Sequence, residues 1–154
     1  MLRLAIYCPG KTRIGWIREG MAEYEKRLVP FGGVTIHCTR ESKLADDTRA
    51  MEWEGEDILR RLPPRALVVA LDPAGRNYSS EELAELLARW EGEGREAVAF
   101  VIGGHRGLAA SLLRRADYRL SLSRMTFTHD MARLLLLEQL YRAWSIRRNT
   151  GYHR

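Results

Sequence analysis

Apolar residues are gathered in short continuous runs, LRLAIYC (2–8), VTIHC (34–38), ALVVALD (66–72) and AVAFVIGG (97–104), followed by a weaker fifth, YRLSLS (118–123). Runs of this length bounded by turn residues predict buried strands. Between them the apolar positions recur every three to four residues, which predicts helices beginning near Ile14, Thr48, Ser80, Leu108 and Asp130. The third helix carries its own start signal, because Ser79 and Glu82 form a capping box ahead of LAELLARW. Strands alternating with helices imply right-handed crossovers, and therefore one α/β domain spanning 1–154 with a parallel sheet and helices on both faces.

Sheets of this kind bind ligands beyond the carboxyl ends of their strands, so the loops that follow strands matter most. Three have distinctive composition: LDPAGRNYSS after the third strand, IGGHRGL after the fourth and SLSRMTFTHD after the fifth. Pro73 and Gly75 in the first read as a tight turn leading to the Ser79 cap. The glycines at 103, 104 and 107 fit close approach of a ligand to the backbone, although such a loop is more often only a turn. A Rossmann dinucleotide fingerprint would follow the first strand, where this chain has CPGKTR, and no Lys-Ser or Lys-Thr pair makes the glycine loop a Walker A motif. Any ligand pocket is thus expected in the carboxyl-terminal half.

The last helical segment, DMARLLLLEQLYRAWSIRR, places Leu134, Leu135, Leu136 and Leu137 in succession and so has apolar groups all round its circumference. A second subunit would cover the face that one core leaves bare, which predicts a homodimer; a central core helix would explain the same pattern. Glu138 and Arg142 stand at ion-pair spacing, and among leucines and aromatics a partly desolvated pair serves to orient a neighbour.

Composition alters this picture little. The chain is 45% hydrophobic and 29% charged, which argues against disorder, and it has no apolar stretch of the ~20 residues that span a bilayer. Pro9 and Gly10 interrupt the opening run too early for a signal peptide, so a cytoplasmic protein without membrane partners is expected. A net charge of +5 is compatible with a polyanionic partner, yet only three of the 25 basic residues are lysines, so an arginine bias would account for it equally. Cys8 and Cys38 each close an apolar run and are read as two free core thiols, with neither disulfide nor metal site expected. The chain ends in Tyr152, His153 and Arg154, a phenol, an imidazole and a fixed cation where termini are ordinarily weakly patterned.

The segments AEYEKRL, FVIGGHRGL and LSLSRMTFTHDMARLLLLEQLYRAWSI, with the terminal YHR, together resemble the RlmH family of ribosomal RNA methyltransferases within the SPOUT superfamily, over essentially the whole chain. The resemblance implies a parallel α/β sheet with a carboxyl-terminal trefoil knot, a homodimer, S-adenosylmethionine as cofactor, no metal, and methylation at N3 of a pseudouridine in large-subunit (23S) ribosomal RNA, with the assembled ribosome as substrate. Matched residue by residue, the cofactor would be held by Leu71, Gly103, Gly104, Ser123, Arg124, Met125, Thr126, Phe127 and Thr128. Tyr152, His153, Arg154, Arg142 and Glu138 would handle the target nucleotide. His153 or Tyr152 would take the imide proton, and Arg154 and Arg142 would stabilise the anion. The chain departs from the family pattern at Thr128, where proline commonly precedes the histidine, and at His105, where a smaller residue or proline is usual. A non-catalytic basic RNA-binding protein would explain the charge but not the three loops, and a flavodoxin-like nucleotide protein is a third reading.

Overall fold

The computed structural model describes residues 2–153. Its elements alternate as expected: β1 (Arg3–Pro9), α1 (Gly15–Leu28), β2 (Val34–Thr39), α2 (Asp47–Arg61), β3 (Leu67–Asn77), α3 (Ser80–Gly92), β4 (Ala97–Val101), α4 (Ala110–Arg115), β5 (Tyr118–Ser121) and α5 (His129–Arg148). The starts of α2, α3 and α5 are held by side chains that satisfy otherwise unpaired N–H groups, whereas α1 and α4 have no such cap. Asp46 accepts from Arg49 N at 2.9 Å, Ser79 and Glu82 complete the capping box, and Thr128 accepts from Met131 N at 3.2 Å.

The five strands run parallel in the order β2-β1-β4-β3-β5. Side chains alternate between the sheet's faces, which divides the core in two. Leu4, Ile6, Val69 and Phe100 face the layer of α1, α3 and α5, while Tyr7, Val68, Ala99 and Val101 face α2 and α4. The first layer is the larger, and α5 lies in it between α1 and α3. Gly20 permits the close approach of α1, since a β-carbon there would sit 3.0 Å from Leu134 Cδ1.

This placement accounts for most of the leucine run. Leu136, Leu137 and Leu140 are fully buried within the chain's own core, the central-helix alternative, whereas Leu134 and Leu135 stay half-buried.

Two expectations need correction. Cys38 is exposed, not a core thiol, because β2 is an edge strand and a short apolar run cannot distinguish an edge from a centre. The Pro73–Gly75 segment is not a turn that ends the third strand but an excursion within it. Leu71 and Arg76 both pair with Leu120, and Asn77 then pairs with Ser121. Gly75 lies so close to β5 that a β-carbon would meet the Arg119 carbonyl carbon at 2.7 Å. Neither the pairing nor this approach has a local signature.

Because Leu137 is wholly buried in the layer that joins α1, α5 and α3, Leu137→Ala is expected to destabilise the protein by about 2–5 kcal/mol, measured by urea denaturation at fixed protein concentration.

Candidate functional site

A cavity of about 730 Å³ opens beyond the carboxyl ends of β3, β4 and β5. Its floor is apolar, made by Leu71, Ile102, Leu120 and Leu122, and Met125 and Phe127 stand at the rim, 76% and 39% exposed. Polar and charged residues border the same cavity, among them Asp72, His105, Arg106, Ser123, Thr126, Thr128 and His129, so an apolar floor is joined to groups able to hydrogen-bond a heterocycle.

Each loop is held by its own chemistry. In the loop after β4, a β-carbon on Gly103 would lie 2.5 Å from the Gly107 carbonyl carbon, Gly107 has φ of 90°, and Gly107 N donates to Gly104 O at 3.0 Å. Gly103 and Gly107 therefore close the loop. Gly104 differs, since a β-carbon there would meet only Pro9, at 3.7 Å, and the position borders the cavity. In the loop after β5, Ser121 Oγ donates to Ser123 O at 2.8 Å and Met125 N donates to Ser123 Oγ at 3.0 Å. Thr128 contributes the cap of α5, so the residue standing in place of proline still orders this loop.

The structure thus brings Leu71, Gly103, Gly104, Ser123, Met125, Thr126, Phe127 and Thr128 around one cavity. Arg124 belongs to the same loop, where it is exposed and outside the cavity lining. Ile102, Leu120 and Ala132 also line it, as do Asp72, Arg106 and His129, and none of these was singled out from the sequence. Leu120 is opposed to Leu71 across the β3–β5 ladder, a partnership visible only once the register is known. His105 also borders the cavity.

Beneath it lies a charged residue that sequence reasoning passed over. Arg133 has no exposed side-chain surface, donating to Pro9 O at 2.7 Å and to Thr12 Oγ1 at 3.0 Å, with Asp130 at 3.9 Å. Asp130 Oδ2 in turn accepts from Arg13 N at 3.3 Å. The signal was an arginine in phase with Leu136, Leu137 and Leu140 on the buried face of a helix.

The tail residues form a separate cluster. Tyr152 Oη lies 3.2 Å from Glu138 Oε1 and 3.3 Å from Tyr24 Oη, and its ring meets Tyr141 edge-on at 4.6 Å with the Arg142 guanidinium 4.9 Å from its centre. Arg142 Nε donates to Glu138 Oε1 at 3.0 Å. The two side chains are 26% and 16% exposed, so this pair is partly desolvated and it orients Tyr152 as the spacing implied. His153 Nε2 is 2.7 Å from Glu81 Oε1 on α3. Arg154 lies outside the described residues.

Electrostatics separates the roles within this cluster. Burial, the Tyr24 hydrogen bond and the nearby Glu138 carboxylate push the Tyr152 phenol well above its usual value, and Glu138 likewise raises Arg142. Tyr152 is consequently held protonated and is a poor proton acceptor. The cavity borders the first turn of α5, whereas the tail packs on the middle of that helix, where Tyr152 meets Glu138, Tyr141 and Arg142, and on the first turn of α3, where His153 meets Glu81. Neither Tyr152 nor His153 lines the cavity.

Residues 2–153 match the family described as "Predicted SPOUT methyltransferase". Among solved structures, a probable methylase family protein from Haemophilus influenzae shares the fold, with a TM-score of 0.54 at 17% identity over 99% of this chain and 70% of that one. TrmJ from Z. mobilis gives 0.53 at 14% identity over 93% and 70%. The fold and family are those of a SPOUT methyltransferase.

Curated relatives narrow the assignment. The chain is 48% identical to ribosomal RNA large subunit methyltransferase H of Desulfotalea psychrophila over 94% of this chain and 95% of the relative. It is 45% identical to the protein of that name from Moorella thermoacetica over the full length of both. The chain belongs to the ribosomal RNA large subunit methyltransferase H family.

A phenol whose pKa is raised by folding stabilises the protein fully below the unfolded value of about 10 and loses that contribution as pH rises toward the folded value. Stability is therefore expected to fall above that pH more steeply in the wild type than in Tyr152→Phe, as read by denaturant midpoints across an alkaline series, and ultraviolet titration should show one late-ionising phenol that the variant lacks.

Proposed function

We propose that this chain is a homodimeric methyltransferase that uses S-adenosylmethionine to methylate N3 of a pseudouridine in large-subunit ribosomal RNA presented by the assembled ribosome. The observation that carries the reading is that Tyr152 and His153 pack on α5 and α3 of their own chain and stand outside the cavity lining. In a two-fold dimer whose α5 helices cross antiparallel, the carboxyl-terminal end of one meets the amino-terminal end of the other, and each tail completes its partner's cavity. The carboxyl-terminal trefoil knot implied by the family resemblance belongs to the same reading.

The surface at that end of α5 supports a partner. The Arg13–Asp130 hydrogen bond sets the start of α1 beside the start of α5. Ile14, Trp16, Met125 and Phe127 are exposed in the segments bordering it, and Leu134 and Leu135 remain half-buried. Large exposed apolar patches mark interfaces.

The cavity fits the proposed cofactor on structural grounds: its floor is apolar, hydrogen-bonding residues such as Asp72, Ser123 and Thr126 border it, and the glycines at 103, 104 and 107 keep side chains out of its lining. Leu71, Gly103, Gly104 and the Ser123–Thr128 loop would hold it, with Arg124 outside the lining. Bound S-adenosylmethionine supplies an electrophilic methyl group on a sulfonium sulfur. The chain's own residues then have to position the imide nitrogen and take its proton, which has a pKa of about 9–10, near that of a phenol. Tyr152, held protonated, orients the site through its hydrogen bonds, and His153 accepts the proton. The His153–Glu81 contact is exposed, so little opposes His153 turning from α3 toward a partner's cavity while Tyr152 stays packed on α5. Arg154 and Arg142 stabilise the developing imide anion, and Glu138 fixes the Arg142 guanidinium.

Two variants test the composite site. Gly104→Val should fill the cavity without straining the backbone and abolish cofactor binding by calorimetry. Deleting residues 152–154 should abolish radiolabelled methyl transfer to ribosomes while cofactor binding and a dimeric mass by light scattering persist. Neither variant is active alone, but unfolding and refolding them together at equal amounts should restore about a quarter of wild-type activity, because half the dimers then hold one complete site. No recovery despite verified subunit exchange would refute a shared site, and activity in the truncated protein alone would remove the tail from catalysis. Comparing ribosomes, large subunits and free RNA reads the preferred substrate.

A further inference from the structure

The two cysteines are far apart in sequence but directly opposed in the sheet. Cys8 on β1 pairs with Cys38 on β2, one rung before Pro9 and Thr39. Paired residues on neighbouring parallel strands point to the same face at a spacing of about 4.7–4.9 Å, within the ~4.4–6.8 Å range of Cα separations that a disulfide bridges. Their surroundings differ sharply. Cys8 has no exposed surface and joins the larger core, whereas Cys38 is exposed.

We propose that Cys8 and Cys38 form a reversible dithiol–disulfide pair, in which Cys38 reacts with a low-molecular-weight disulfide from solvent and Cys8 resolves the product. In the first step the Cys38 thiolate attacks one sulfur of the small disulfide, forming a mixed disulfide and releasing one thiolate. In the second, Cys8 gives up its proton to solvent and attacks Cys38 Sγ, expelling the other thiolate. The cysteines together lose two hydrogens, and the small disulfide is reduced to two thiols. Burial imposes this order, since Cys8 is closed to external reagents yet opposed to Cys38.

The local charges favour the same division. The Cys8 thiol is the foremost influence holding Cys38 down to about 6, and Arg133 from α5 and Lys11 from the loop after β1 act in the same direction, against partial burial and Glu25 of α1. Cys8 moves the opposite way, pushed up by its hydrogen bond with Cys38 and by burial. Cys8 Sγ also lies 4.0 Å from His37 O, the outer limit for a sulfur donor, which leaves the Cys38 sulfur as the competing acceptor. As an edge strand, β2 has a neighbour on one side only, so it can shift toward β1 as the bond forms without disturbing a further strand. Neither cysteine lines the large cavity, and the inference stands apart from methyl transfer.

The test uses the full-length protein and oxidised glutathione, read by intact mass under non-reducing conditions. The wild type should lose two hydrogens, become closed to alkylation at both positions, and regain both thiols on reduction. Cys8→Ser should stop at a stable glutathione adduct on Cys38, and Cys38→Ser should not react. In the reduced wild type, peptide mapping after brief iodoacetamide treatment should find Cys38 alkylated at least about tenfold faster than Cys8, with a rate that rises through pH about 6. This last readout needs no variant to fold. A wild-type protein that stops at the glutathione adduct, that links two chains instead of two strands, or that alkylates at Cys8 as fast as at Cys38 would overturn the proposal.

Discussion

The position of α5 depends on a buried guanidinium. Arg133 reaches from the helix to the last carbonyl of β1 and the hydroxyl of Thr12, and it does so with no exposed surface. Burying an arginine costs several kcal/mol unless its donors are met, so the contact constrains geometry more than it stabilises. Once the start of α5 is tied to the end of a central strand, the rest of that helix has one course, between α1 and α3. Its first turn then borders the cavity and its last turn carries the tail.

Around this anchor the loops are ordered by steric exclusion rather than by extensive bonding. Gly75 rests against the β5 backbone and Gly103 against Gly107, and at either position a β-carbon would overlap main-chain atoms. Main chain cannot yield as a flexible side chain can, so these glycines set the shape of the cavity wall. At Gly104 a β-carbon would make only an ordinary contact with Pro9, so no such exclusion acts there. Glycines in these loops thus differ in what they do, and composition cannot tell them apart.

Farther along α5, aromatic packing and one carboxylate decide the protonation of Tyr152. Glu138 faces Tyr152 and Arg142 together, strengthening the hold on both protons. Sequence alone could not show that this phenol is held protonated, because that depends on desolvation and on Tyr24 from α1, neither of which is local to the tail.

The alternation of strands and helices, the Ser79 capping box, the parallel sheet and the three loops that border the cavity were legible in the sequence because each depends on the period or turn chemistry of a few adjacent residues. The motifs at 103–104 and 123–128 likewise identified the cavity wall, apart from Arg124. What remained hidden involved pairings between distant segments. Tertiary structure set Cys38 on an edge and opposite Cys8, returned β3 to β5 after its excursion, buried Arg133 against Pro9, and folded the tail back onto α5 and α3 outside the cavity. Local periodicity specifies which face of an element is apolar, but strand order and register emerge only from the packing of the whole chain, and those decide which side chains meet.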